Sequence, residues 1–157
     1  MTRPDSTTHS TTRIVIGAHA TTLTDDTGFE SAIPVGVADL ADRLFRHDPP
    51  TSLEMEQAID RVEDALETSG LQREERGWLT TAEPLLYAAL AMWADGDRMS
   101  RDEVEQWFQR LASASLGHPG ALGDLPLDRR AAARLLILRE CMHHLGFAGI
   151  MLGMPAA

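Results

Sequence analysis

The chain has 157 residues, of which 43% are hydrophobic and 24% charged, and its formal net charge is −10 at pH 7. We expect one soluble domain with its own hydrophobic core. A surface this acidic disfavours nucleic acid and anionic membranes as partners. All 14 basic residues are arginine, which excludes Schiff-base chemistry and the phosphate lysine of a nucleotide loop.

Residues 1–12 are rich in Ser, Thr and Pro, and we expect them to be disordered. They lack the apolar stretch of a secretory signal, and no apolar run reaches transmembrane length. The sequence therefore predicts a cytoplasmic protein in which residues 13–157 form a single domain.

A β-hairpin is predicted for residues 13–33. Ile14, Val15 and Ile16 are β-branched and favour a strand, TDDTG at 24–28 is typical of a turn, and a second short strand follows at 29–33. A lone hairpin is only marginally stable, so we expect this one to pack on helices or to pair with another chain.

Helical periodicity begins at Pro34 and continues to residue 147. Each of three predicted helices starts at a Ser/Thr-x-x-Glu capping box, formed by Thr51 with Glu54, Thr80 with Glu83, and Ser100 with Glu103. The helix LLYAALAMWA is apolar on nearly every face, and we expect it at the centre of the fold. The predicted fold class is mainly α: a bundle of about five helices with a short N-terminal β-hairpin.

The last segment, residues 148–157, is an apolar tail rich in methionine and glycine. Such a segment either folds back on the core or inserts into a partner, and methionine-rich surfaces suit adaptable recognition.

The strongest chemical cluster is Arg-Glu-Cys-Met-His-His at 139–144. On a helix, Glu140 lies beside His143 and His144, and Glu-x-x-His is the spacing used in carboxylate-bridged di-iron bundles. His118 or His47 from a loop would complete a mononuclear site for Fe, Zn or Mn. A helix end that carries two cationic side chains explains the same residues without a metal.

Cys141 is the only cysteine, which excludes an internal disulfide and a cysteine cage for zinc. In the middle of an apolar helix it is typical of an inert core residue. The alternative is a redox role together with the neighbouring histidines.

Residues 88–112 resemble the helix–ADG–helix segment of tellurite-resistance TerB-like helical domains. The matching positions are Ala91, Asp95, Gly96, Asp97, Ser100 and Glu103. The resemblance covers about 25 residues and implies an acidic helical domain in stress response or complex assembly, with metal contacts at Asp95 and Asp97.

No G-x-S-x-G, P-loop or G-x-G-x-x-G pattern is present, so the sequence favours a non-enzymatic interaction module without a cofactor: an adaptor, an assembly factor or an accessory subunit. A partner protein, either basic or with an apolar groove, would bind an acidic face and the apolar tail, and a homodimer is compatible with this. The predicted contact residues are Glu54, Glu56, Asp60, Glu63, Glu67, Ile150, Met151, Leu152 and Met154. The alternative is a metal-binding or redox helical protein that uses Glu140, His143, His144 and His118.

Overall fold

The structure is a computed structural model that describes residues 10–94, 96–123 and 128–152. These residues form a mixed six-stranded β-sheet with five α-helices and one short 3₁₀ helix. The prediction of a mainly α-helical bundle is therefore wrong. Strands from the beginning, the middle and the end of the described chain join in one continuous sheet, and the fold class is mixed α/β.

The first three strands form an antiparallel meander of β1 (Thr11–Ile16), β2 (Thr21–Thr24) and β3 (Glu30–Ile33). Their side chains alternate, so that Ile14 and Ile16 are buried while Val15 between them is exposed. The prediction of a two-stranded hairpin therefore missed one strand, because the structure has three strands in this segment.

Strand β1 also begins inside the segment that the sequence predicts to be disordered. Thr11 and Thr12 pair with Trp78 and Leu79. The remainder of that prediction, for residues 1–9, lies outside the described residues.

Helix α1 (Val37–Ala41) follows the meander, and the longer α2 (Ser52–Ser69) comes next. The predicted capping box of α2 is confirmed: the hydroxyl of Thr51 accepts the N–H of Glu54 at 3.2 Å, and the Glu54 carboxylate faces the Thr51 backbone. This reciprocal pair satisfies donors that a helix start leaves without a partner.

The middle of the chain alternates strands and helices: β4 (Arg76–Thr81), α3 (Pro84–Trp93), β5 (Arg98–Ser100) and α4 (Arg101–Ser115), with the 3₁₀ helix at Pro119–Leu122. The prediction of helices alone between residues 34 and 147 is wrong here, because β4 and β5 find partners elsewhere in the sheet.

The other two predicted capping boxes have different outcomes. Thr80 lies within β4, and α3 is capped by Glu83 itself, whose carboxylate accepts the N–H of Leu86 at 3.0 Å. Ser100 does cap α4 by accepting the N–H of Glu103 at 3.2 Å.

The last elements are α5 (Arg129–Leu145) and β6 (Phe147–Leu152), separated by Gly146 in the left-handed conformation. Helix α5 packs against α1, α2 and α4 and is the central helix. The prediction that α3 is central is wrong, since Leu85 and Met92 of α3 remain 60% and 55% exposed.

The order of the strands is β3-β2-β1-β4-β6-β5. Strands β1, β4 and β6 are mutually parallel, and the other pairs are antiparallel. Strand β6 lies between β4 and β5, and residues 148–152 of the predicted tail are therefore an interior strand, with Ile150 fully buried. Among the described residues, no helix combines the length and the apolar character needed to cross a bilayer.

Candidate functional site

The carboxyl ends of β1 and β4 form a topological switch point in the sheet. The two strands are parallel neighbours, with Arg13 opposite Thr80. After β1 the chain turns to β2 on one side, whereas after β4 it continues through α3 towards β5 and β6 on the other side. Open sheets with parallel strands bind ligands in the crevice at such a point, which makes this edge the first place to search for a site.

The turn between β1 and β2 rests directly on the start of α1. The N–H groups of Val37 and Ala38 donate to the carbonyl oxygens of Gly17 and Ala18, both at 2.9 Å. The two backbones lie so close that a Cβ on Gly36 would overlap the carbonyl oxygen of Gly17. The turn is therefore held in one place by main-chain contacts.

His19 projects from this turn and is oriented by Asp39. Its Nδ1 lies 3.1 Å from the Asp39 carboxylate, whose second oxygen accepts the N–H of Gly36 at 2.9 Å. Burial raises the pKa of Asp39, but the hydrogen bonds from His19 and Gly36 outweigh this effect and bring the pKa below its ordinary value. An ionised Asp39 accepts the Nδ1 proton, which leaves the lone pair of the neutral imidazole on Nε2.

The imidazole of His19 is accessible while its carboxylate partner is not. The side chain of His19 is 65% exposed, against 8% for Asp39. Among the described residues, nothing accepts a hydrogen bond from the N–H groups of Ala18 and His19. Ala18 and His19 are both exposed, so the turn combines one oriented imidazole with two backbone N–H groups that have no acceptor among the described residues.

The opposite wall of the switch point is the connection from β4 to α3. The buried hydroxyl of Thr81 accepts the N–H of Glu83, and the carboxylate of Glu83 caps the start of α3. Pro84 has no N–H to offer. Because this helix start carries its own carboxylate, the turn before β2 is the part of the edge better suited to an anion.

Glu140 and His144, predicted from their spacing, do lie together. Nε2 of His144 is 2.9 Å from Oε2 of Glu140 and 3.4 Å from Oε1 of Glu63 on α2. Glu140 is fully buried. Its other oxygen accepts a hydrogen bond from Arg139 at 2.6 Å. The carboxylates of Glu63 and Glu140 and the imidazole of His144 form a compact cluster between α2 and α5.

The other two predicted ligands lie outside this cluster. His143 is exposed and lines a cavity of about 230 Å³ beside Arg139 and Glu105. His118 is exposed near the end of α4, and it is not among the residues whose ligand atoms come within 4.8 Å of one another.

The predicted partner-binding residues are divided between the surface and the interior. Exposed on α2 are Glu56, Asp60, Glu63 and Glu67. Glu54 is buried in its capping box, and Ile150 is buried in β6. Met151 and Leu152 are half-buried in the same strand, and Met154 lies outside the described residues.

Cys141 is fully buried in α5, and burial together with the nearby charge of Glu140 raises its pKa to about 12. A thiol with this pKa is not ionised at neutral pH and is a poor nucleophile. The prediction of an inert core cysteine agrees with this environment, whereas the redox alternative does not.

Sequence reasoning missed His19 and Asp39. A signal was present in the His at the tip of a β-turn, followed after β3 by Gly36-x-x-Asp39 at a helix start. Neither part is informative without the knowledge that the turn and the helix start are in contact, because the two residues are 20 positions apart.

No protein-family model matches the sequence, and no curated protein matches it. Similarity to solved structures is clear, however. An exopolyphosphatase-like protein matches with a TM-score of 0.68 at 13% identity, over 98% of this chain and 58% of that protein. The Ppx/GppA enzyme of Aquifex aeolicus matches with a TM-score of 0.64 at 14% identity, over 92% of this chain and 53% of that enzyme.

An exopolyphosphatase of Cytophaga hutchinsonii also matches, with a TM-score of 0.54 at 14% identity over 93% of this chain and 53% of that protein. The chain thus spans just over half the length of these structures. At such identities the likeness concerns the fold alone, and it overturns the TerB-like resemblance. The segment that carried that resemblance contains strand β5, although Asp95 itself lies outside the described residues.

Proposed function

We propose that this chain is a phosphatase-type domain that binds a phosphate-bearing substrate at the carboxyl ends of β1 and β4. The observation that carries the proposal is the switch point, where the turn before β2 presents an imidazole oriented by a buried carboxylate. The fold of the exopolyphosphatases supports it and replaces the interpretation as a non-enzymatic adaptor.

The N–H groups of Ala18 and His19 would bind a phosphate oxygen. Backbone N–H groups in a tight turn form concave sites that favour anions. The turn is rigid because its carbonyl groups are already hydrogen-bonded to α1, so little ordering is required when the ligand arrives.

The imidazole of His19 would move a proton during phosphate transfer. With Nδ1 hydrogen-bonded to Asp39, Nε2 is the nitrogen that accepts a proton from attacking water or, once protonated, donates one to the leaving oxygen. Such general acid–base catalysis contributes about 10²- to 10⁴-fold in rate. Asp39 acts only through His19, as a positioning residue.

The net charge of −10 opposes the binding of a polyanion. At physiological ionic strength the Debye length is about 8 Å, so charges on distant faces of the domain are largely screened. The local donors then decide the affinity, and binding is expected to weaken at low salt, where the acidic surface repels the ligand over a longer range.

A second domain, on the same polypeptide or another, is part of this proposal. The similar structures are nearly twice as long as the matched region. Leu85, in the first turn of α3 at the same edge, is 60% exposed, and a second domain packed on this edge would cover it. Hydrolysis would then require that domain, whereas binding would not. The cytoplasmic location predicted from the sequence stays part of the proposal.

Binding is tested by NMR on ¹⁵N-labelled protein at 150 mM salt, titrated with short-chain polyphosphate or inorganic phosphate. We expect the largest amide shifts at Ala18 and His19, with smaller shifts in the β4–α3 connection. The variant His19→Gln keeps a polar side chain but lacks the proton-transferring imidazole, and it should weaken the shifts. His118→Gln, an exposed control far along the chain, should leave them unchanged.

Shifts confined to other surfaces, or no shifts at millimolar ligand in folded protein, would contradict the proposal. Where a longer form of the chain is active, His19→Gln should lower kcat for phosphate release more than it raises KM. Equal kcat for the unmodified protein and for His19→Gln would contradict a role of His19 in proton transfer.

A further inference from the structure

We propose that Glu63, Glu140 and His144 form a binding site for a divalent transition-metal ion. This site lies near the amino end of β6, since His144 is in the last turn of α5 just before that strand. The turn with His19 follows the carboxyl end of β1, which runs parallel to β4 and β6. The two sites are therefore at opposite ends of the sheet, and this inference is independent of the phosphatase function.

The two distances from His144 within the cluster are those of atoms that share one ion. Two ligand atoms, each about 2.1 Å from a metal, lie about 3.0 Å apart at an octahedral angle and about 3.4 Å apart at a tetrahedral one. Nε2 of His144 is 2.9 Å from the Glu140 oxygen and 3.4 Å from the Glu63 oxygen. All three candidate ligand atoms lie within 4.8 Å of one another.

The second observation is an unsatisfied oxygen inside the protein. Oε2 of Glu140 accepts no hydrogen bond from any described residue, although the carboxylate is fully buried. His144 is close to it, but the two groups do not meet the geometry of a hydrogen bond. A buried charged oxygen without a partner is strongly destabilising, and a cation between Oε2 and the lone pair of Nε2 would remove that penalty.

Arg139 leaves this need for a cation unmet. Its guanidinium binds Oε1 of Glu140 at 2.6 Å and Glu105 at 2.8 Å, whereas His144 lies beside Oε2 of Glu140. One carboxylate oxygen is thus satisfied by arginine, while the other faces the cluster. The arginine charge lowers the affinity for a cation, while its hydrogen bond to Oε1 holds the carboxylate in place beside the cluster.

The donor set favours zinc, and we expect iron(II) and manganese(II) to bind the same site more weakly. One imidazole nitrogen with two carboxylate oxygens suits zinc in tetrahedral geometry, with a water as the fourth ligand. Glu63 and His144 are 45% and 39% exposed, so an ion can enter from solvent and reach the buried oxygen.

The test is isothermal titration of the full chain with Zn²⁺ at pH 7.5, after treatment with EDTA and dialysis. We expect one ion per chain and a rise in the thermal midpoint when zinc is present. Because Glu140 also holds Arg139, its variant is at risk of misfolding, so the variants are His144→Ala and Glu63→Gln. Each should weaken zinc binding at least tenfold.

The control is His143→Ala, which removes the adjacent, exposed imidazole outside the cluster. It should bind zinc as the unmodified chain does. Co²⁺ provides a second readout, since visible absorption bands of a four-coordinate site should appear in the unmodified chain and be lost in His144→Ala.

Equal zinc affinity in the unmodified chain and in His144→Ala would overturn the proposal. So would no binding at about 100 µM Zn²⁺, a concentration roughly 10³-fold above the Kd of the weakest structural zinc sites.

Discussion

The indole ring of Trp78 lies across Gly149 on the neighbouring strand. The two residues are paired in the parallel ladder of β4 and β6, and a Cβ on Gly149 would overlap both the indole and the backbone carbonyl of Met99 on β5. Strand β6 is thus held between its neighbours by a contact that only glycine allows.

Gly149→Ala is therefore expected to destabilise the protein by about 1–3 kcal/mol, the usual range for overpacking. The added methyl group meets main chain on one side, which cannot rotate away. Urea unfolding followed by tryptophan fluorescence measures the change. Ala148→Ser, at the exposed preceding position, should stay within about 0.5 kcal/mol of the unmodified chain, and a similar loss in both variants would argue against this packing.

Asp39→Ala should lower stability by about 1–3 kcal/mol, because it removes a buried charged acceptor and leaves the N–H of Gly36 without its partner. The chemical shifts of the His19 ring should change as well, since its orientation depends on that carboxylate. Asp42→Ala serves as the control: Asp42 forms a surface ion pair with Arg130 at 3.3 Å, and such pairs contribute about 0–1 kcal/mol.

Stability should decline in acid partly through Glu54. Burial raises the pKa of this carboxyl, but hydrogen bonds from His47, Arg46 and Thr51 outweigh burial and lower the pKa from 4.5 to about 2. The unfolded chain therefore binds more protons between these values, so the contribution of Glu54 is present above pH 4.5 and is lost as the pH falls towards 2.

The measurement is the urea midpoint between pH 7 and pH 2 for the unmodified chain and for Glu54→Gln. The variant should lose about 1 kcal/mol at pH 7 through its weakened cap, and the difference between the two proteins should shrink at low pH. Glu56→Gln, on the exposed face of the same helix, should follow the unmodified chain. A difference that does not depend on pH would contradict the role given to Glu54.

Cys141 should resist thiol reagents in the folded protein. Burial raises its pKa to about 12, so the thiol is not ionised at pH 7.5. The same burial keeps the reagent from reaching the sulfur. Labelling with iodoacetamide, followed by mass spectrometry, should show no modification until denaturant unfolds the chain. Rapid labelling under native conditions would mean that α5 opens locally.

Two of the three helix starts predicted from capping boxes were correct. Thr51 with Glu54, and Ser100 with Glu103, act within one turn of chain, so their effects depend on neighbours that are already adjacent in sequence. The strands β4, β5 and β6 were missed for the opposite reason. Strand formation depends on partners that are distant in the chain, and GWLTT or GIML has no internal pattern that selects its neighbour.

The candidate sites divide in the same way. The spacing of Glu140 and His144 on one helix was sufficient to place them side by side. Only the packing of α2 against α5 brought in Glu63 rather than His118, and only the contact between the β1–β2 turn and α1 paired His19 with Asp39. Helical geometry thus made neighbours on one helix predictable from the sequence, as turn chemistry did for the hairpin at 24–28. The other pairings between elements were visible only in the folded protein, because they depend on how buried faces fit together.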